Sequence, residues 1–158
     1  MRMIDESANI DESRLVFPGL AGLYRRLAPL GYLVTRIAFA VAILHSGWEK
    51  LFNGGVYRIA AGNVTKAGFS NPLVWAWAVG TLEFFGAILL VFGLFTRPVA
   101  FALAIQMGVI TFLIQFKNGY FWMTYGYEFA LLLMLVCLAY VIGGGGRYSL
   151  DRRIGHEF

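Results

Sequence analysis

Residues 72–95 read PLVWAWAVGTLEFFGAILLVFGLF, an apolar run interrupted by one acid, Glu83. A helix over this stretch is about 36 Å long at 1.5 Å per residue, enough to cross a hydrocarbon core of about 30 Å. Pro72 opens it at a position where a missing N–H costs nothing. At its far end GLFTRP, residues 93–98, reads as a tight reversal into the next apolar block. Working outward, further blocks occupy residues 31–52, 98–116 and 127–142. The composition agrees with this pattern: the 158 residues are 59% hydrophobic and 14% charged, where a soluble domain carries about 25% charged residues. Mean hydropathy is +0.67. The expected fold class is all-α, an integral membrane antiparallel bundle of four transmembrane helices. A soluble domain, a disordered chain, a collagen and a coiled coil are excluded.

The chain divides into three parts on this reading. Residues 1–30 form an N-terminal cytoplasmic and interfacial arm. Its first stretch, with Asp5, Glu6, Asp11 and Glu12, lacks the apolar core of a secretory signal. Its second, RLVFPGLAGLYRRLAPL, is basic, apolar and broken by Pro18 and Pro29, which suits a segment lying among headgroups. Residues 31–143 hold the bundle. Four glycines from Gly143 to Gly146 stop the last helix, and residues 144–158 form a polar, basic tail.

Counting Lys and Arg outside the spans sets the orientation. With both ends on one side, that side holds Arg2, Arg14, Arg25, Arg26, Arg97, Arg147, Arg152 and Arg153, against Arg58, Lys66 and Lys117 opposite. Both termini are therefore expected in the cytoplasm, and the protein in the inner (plasma) membrane as a multi-pass chain. Trp48, Trp75, Trp77 and Trp122 then gather at the opposite interface as an aromatic belt. The net charge of +4 flanks apolar blocks, where anionic lipid would meet it, and reads as lipid contact with no nucleic-acid partner.

An ionisable side chain inside a spanning helix costs about 2.5–3.5 kcal/mol on insertion scales, so it faces partners or water. His45 and Glu49 stand at i and i+4 on the first span with Trp48 beside them. Glu83, Gln106 and Glu128 lie on the other three, and antiparallel packing predicts a polar seam among all of these. Two readings of the seam stand open. In one, His45, Glu49 and Glu83 are candidate proton-transfer residues, and His45, Trp48, Glu83, Gln106 and Glu128 line a pocket for a quinone, whose carbonyl needs a proton donor and whose flat ring suits aromatic walls. In the other, the polar groups bond one another, Arg36 or Lys50 and hold the helices in register. Arg36 itself lies near a span end, where a long side chain can snorkel.

Arg147, Ser149 and Asp151 read as caps after the glycine run. Gly80, Gly86 and Gly93 recur at roughly helical spacing, where small residues let backbones approach. No metal site is expected. Cys137 stands alone in the fourth span, and His45 is the one histidine within the spans, which excludes a bis-histidine haem or an iron–sulfur cluster held by one chain.

Three pieces of the sequence resemble the DoxX family of small four-helix membrane proteins: R36IAFAVAILHSGWEKLF, E83FFGAILLVFGLFTRPVA, and Y127EFALLL continuing to G144GGRYSLD151. The resemblance covers roughly Arg36 to Asp151, and the middle piece is the most specific. A histidine common late in the family's third span is replaced here by Gln106 and Gln115. Relatives have been linked to quinone-reducing thiosulfate oxidation, to membrane assemblies handling oxidative stress, and to copper-associated gene products. The resemblance thus implies a small accessory or anchoring subunit of a quinone-linked membrane redox assembly. Its partners would be membrane lipids and other membrane subunits. It would hold no intrinsic cofactor, with a quinone or a bound lipid as candidate ligand. Two alternatives are a quinone oxidoreductase subunit with its own proton-transfer site and a small-solute or proton pathway.

Overall fold

The computed structural model describes residues 12–155. Residues 1–11, the acidic start of the expected arm, and the last three residues of the tail lie outside them. All regular secondary structure among the described residues is helical, with no strand. Six α-helices follow in order: α1 Ala21–Phe52, α2 Gly55–Ile59, α3 Pro72–Phe92, α4 Thr96–Val109, α5 Glu128–Gly143 and α6 Leu150–Ile154. A π-helical turn, Ala60–Val64, extends α2, and a second, Ile110–Gln115, extends α4.

Three of these helical stretches are long and apolar enough to cross a membrane, Pro18–Phe52, Pro72–Phe92 and Thr96–Asn118, and Glu128–Gly143 is a shorter apolar helix. α3 begins at the expected proline and ends where Gly93 adopts the left-handed conformation (φ +65°), three residues ahead of the expected end. α4 starts two residues earlier than expected, with Pro98 within its first turn.

The first helix differs more. Instead of starting at Gly31 after a surface segment, it runs unbroken from Ala21 with Pro29 inside it. One proline removes one intrahelical bond, and here its ring is buried. Residues 21–30 thus continue the helix, which is about 48 Å long. The 53–71 connection, expected as a plain link, is itself largely helical. Val56, Ala60 and Val64, spaced i, i+4, i+8, turn one buried stripe inward, and Val56 and Ala60 pack with Ala76 beside Leu51 and Ile59.

α1 packs along α3, α4 along α5, and α3 against α4. The middle of α1, at Tyr32 and Arg36, lies beside the ends of α5 and α3, and Lys50 near its end lies beside Glu83 within α3, so neighbouring long helices alternate in direction. The core between them is built from Phe39, Ile43, Leu90, Leu103, Met107 and Tyr140, with small residues between. At Gly47 the α1 and α3 backbones nearly touch: a Cβ there would sit 2.5 Å from the Phe84 amide nitrogen. The outward faces carry Val34, Val41, Phe85, Phe101, Phe112 and Leu132, all more than half exposed. Meanwhile Arg36, Glu83, Thr96, Gln106, Thr111 and Asp151 are buried. Apolar outside and polar inside is the arrangement a hydrocarbon solvent selects.

Candidate functional site

Two side chains of α1 organise the polar interior. Arg36 and Lys50 are fourteen positions apart, about 21 Å along the helix and close to the same face. Each reaches across the bundle, at opposite ends.

At the far end, Lys50 Nζ donates to Glu83 Oε2 at 2.5 Å and to Ser46 Oγ at 2.6 Å, one turn back on its own helix. A longer bond of 3.4 Å runs to the Ser46 carbonyl. Glu83 is 2% exposed, and its other oxygen accepts from Gln106 Nε2 at 2.6 Å. A lysine from α1, a carboxylate from α3 and an amide from α4 are thereby joined in line. Beside this triad opens a cavity of about 490 Å³. Its remaining wall is almost wholly apolar, with Phe69, Trp75, Leu82, Ile105, Ile110 and Leu133 prominent. Two residues of that wall, Gln106 and Gln115, each have a buried Oε1 with no hydrogen-bond partner among the described residues.

The structure brings together only part of the set expected from sequence. Glu83 and Gln106 meet. His45 and Glu49 do not join them, because one residue along an α-helix is a rotation of about 100°. Ser46 and Lys50 face α3, whereas His45 is exposed and lines a smaller groove of about 310 Å³ with Glu49 and Arg58. Glu49 Oε1 accepts from Asn53 Nδ2 at 2.7 Å. Trp48 is 48% exposed and packs on Phe52, ring centroids 4.4 Å apart. Glu128 serves the loop before α5, where its Oε2 accepts from the Trp122 amide at 3.2 Å. The single polar seam is therefore divided into a closed triad and an open groove that meet at Ser46 and Lys50, with Glu128 apart from both.

At the near end, Arg36 is 1% exposed rather than snorkelling outward. Its guanidinium donates to the Gly145 carbonyl, to the Tyr148 carbonyl at 2.9 Å and, at 3.5 Å, to that of Val91. Tyr32 Oη donates to the Gly144 carbonyl at 2.7 Å. The glycine run thus does more than stop α5: it turns bare carbonyls onto α1. No side chain fits at Gly93, where a Cβ would lie 2.6 Å from Arg36 Nη1 and 2.7 Å from Ser149 Cβ.

Asp151 adds a second tie. Its carboxylate accepts from the amides of Phe95 and Thr96 at 2.8 and 2.9 Å, capping α4, and its own amide donates to the Gly93 carbonyl. Ser149 caps the start of α6, its Oγ accepting from the Arg152 amide, rather than the end of α5 as expected. Asp151 instead caps a helix some fifty positions earlier, a pairing that sequence spacing does not signal.

Among the described residues no group of three or more His, Cys, Asp or Glu stands close enough to hold a metal ion, and Cys137 is a buried free thiol.

Comparison with known proteins adds the following. The DoxX family model matches residues 31–115, which include Arg36, Lys50, Glu83 and Gln106 and stop short of the glycine run. A protein of Haemophilus influenzae, described as uncharacterized, is 39% identical over 77 residues, 47% of this chain and 58% of its own length. The chain thus spans less than two thirds of that relative. No solved structure matches.

Proposed function

This chain belongs to the DoxX family, and from that premise we propose that it is a small accessory subunit of a quinone-linked membrane redox assembly. It crosses the inner membrane four times with both ends in the cytoplasm and binds a quinone-class ligand beside Glu83. The positive-inside count supports the orientation.

One observation carries the ligand reading: a cavity of about 490 Å³ whose largely apolar wall carries the Lys50–Glu83–Gln106 triad with Ser46, Asn63 and Gln115 as its further polar residues. Small-molecule pockets run from about 300 to 1,000 Å³ and combine apolar walls with a few placed polar groups. The residues fit such a ligand. Trp75 and Phe69 lie on the wall as flat partners for a ring, and the Gln106 amide offers a polar anchor at the floor. A bound quinone would supply two-electron redox chemistry. This chain's own residues hold and orient it, and they exclude water. The electrons come from a partner subunit, since the described residues offer no metal cluster of their own.

The experiment is a titration of the purified chain, in lipid nanodiscs, with a short-chain quinone, read by tryptophan quenching. Saturable quenching that is largely lost in Trp75→Phe is the expected result. A linear, unsaturable response would overturn the ligand reading. Extraction at native expression in mild detergent tests the assembly reading, and a monodisperse species with no co-migrating membrane protein would overturn it.

A second reading, that the triad serves as a polar lock between helices, draws on the bonds Lys50 makes to Glu83 and Ser46. Both roles are compatible on the same residues, since the lock fixes the amide that faces the cavity.

A further inference from the structure

We propose that the face of α1 carrying His45 and Glu49, together with Arg58 of α2, is an interface between two copies of this chain, in which Glu49 of each copy pairs with Arg58 of the other. This goes beyond the quinone reading and does not depend on it. It requires only that α1 and α3 span the bilayer.

The depth of these residues follows from the helix beside them. Lys50 bonds Glu83, a Cβ on Gly47 would strike the Phe84 amide, and one on Gly80 would meet the Leu51 side chain. The 45–51 stretch of α1 therefore lies against residues 80–84 of α3, about 12–18 Å into a helix about 32 Å long. That is the middle of the span. α2 starts at the same level, because Gly55 lets it fold back onto α1 so closely that a Cβ would sit 2.7 Å from the Glu49 carbonyl oxygen. Arg58 follows within one turn. At this depth Glu49 and Arg58 line one groove, yet neither forms an ion pair with the other or with any described residue. Glu49 accepts from Asn53 through Oε1, while its Oε2 has no bond and is not sealed from the surface. His45 and Arg58 are exposed. The remaining polar residues of the groove, Ser46 and Lys50, bond each other and Glu83. An acid and a base open to hydrocarbon are both costly, and each calls for a partner from outside the chain.

A second copy meets both needs at once. Two chains inserted in the same direction are related by a twofold axis along the membrane normal, which keeps every residue at its own depth and makes the interface self-complementary. Self-complementarity across such an axis takes an acid and a base at one level on one face, and Glu49 and Arg58 supply them. A neutral His45 imidazole both donates and accepts, so it suits a copy of itself. The backbones can also come close. Ala38, Ala42, His45 and Glu49 recur at i, i+4, i+7 and i+11 on the side of α1 opposite Gly47, and the two exposed alanines have no bulk to hold a neighbour off.

The experiment is charge exchange in the full chain, reconstituted at low density in liposomes, with association read by energy transfer between separately labelled preparations. The parent is expected to be a dimer. Glu49→Arg alone and Arg58→Glu alone each set like charges across the axis and weaken association at least about tenfold. Mixed together, the two altered chains associate with each other as the parent does, because every acid again faces a base. Pairing within one chain gives no such recovery. The readout is separation of the two copies, distinct from unfolding of either. Where the charge-reversed chains do not insert, oxidative cross-linking of Ala42→Cys in membranes decides alone: a covalent dimer of this chain is expected there, and none for Phe101→Cys on the outward face of α4. A monomeric parent, altered chains that self-associate as well as the parent, or a mixture that stays monomeric overturns the interface. So does equal cross-linking at both cysteine positions, or cross-linking of Ala42→Cys only to a different protein.

Discussion

Arg36 and Lys50 start from nearly the same face of one helix and meet opposite surroundings. Arg36 ends among backbone carbonyls of the glycine run and the α3 terminus, with glycines so close that no Cβ fits. Lys50 ends on one carboxylate beside a cavity of about 490 Å³. The difference is one of packing against the cation. A planar guanidinium spreads its donors over several fixed carbonyls and closes the space around it, while an ammonium is a compact charge held by a few oxygens at one spot. The first arrangement ties the tail and three helix ends together. The second leaves room for another molecule.

Substitutions at six positions sharpen or break this contrast, taken from the largest effect down. Arg36→Ala strips the donors from buried carbonyls and empties the crowded end. A loss of about 3–5 kcal/mol of stability is expected, seen as loss of monodisperse protein or a steep fall in the thermal midpoint in detergent. A midpoint within a degree or two of the parent would show that the near end is not a lock. Lys50→Met comes next, costing about 3 kcal/mol because Glu83 stays buried without its cation, whereas Lys50→Met with Glu83→Leu recovers much of that loss, as apolar replacements of buried pairs do. Thermal unfolding of the single and double variants reads the coupling, and strictly additive losses would mean that the 2.5 Å pair contributes nothing jointly.

Asp151→Ala removes the cap of α4 and the tail's hold on Phe95 and Thr96, for about 1–2 kcal/mol. Hydrogen exchange at those amides should rise while quinone titration is unaffected, since the cavity lies at the other end. Smallest of all, His45→Ala at an exposed position and Glu49→Gln, which keeps the oxygen that accepts from Asn53, should change stability by less than about 0.5 kcal/mol. They should also leave cavity binding unchanged. A large loss of binding in His45→Ala would restore the single seam expected from sequence.

How much of this was legible beforehand varies from residue to residue. α3 could be placed within three residues because Pro72 and Gly93 mark a helix start and stop through backbone chemistry that acts locally. α1 was placed ten residues late, because Pro18, Pro29 and the Arg25–Arg26 pair look like an interfacial segment, while one buried proline is tolerated inside a long helix. The signal for α2 and its π-helical extension lies in the i, i+4, i+8 spacing of Val56, Ala60 and Val64, which the glycines of the connection mask. Glu83 and Gln106 stood out as polar groups in apolar runs, and the structure joins them. The choice of Ser46 and Lys50 over His45 and Glu49 as their company was not readable. Both pairs are spaced i, i+4, and the rotation of α1 against α3 decides between them.

What the sequence settles by itself is therefore the cost side. Long apolar runs make helices that shun water, and each polar group within them must be met by a partner, because no solvent is there to do it. Which partner it is, and whether space remains beside it, belongs to the tertiary structure alone. Helix rotation turned Lys50 rather than His45 toward Glu83, and the path of the tail carried bare glycine carbonyls to Arg36 and a carboxylate to the start of α4. These are contacts between distant parts of the chain. They depend on how helices lie against each other, and nothing in the local pattern of residues encodes that.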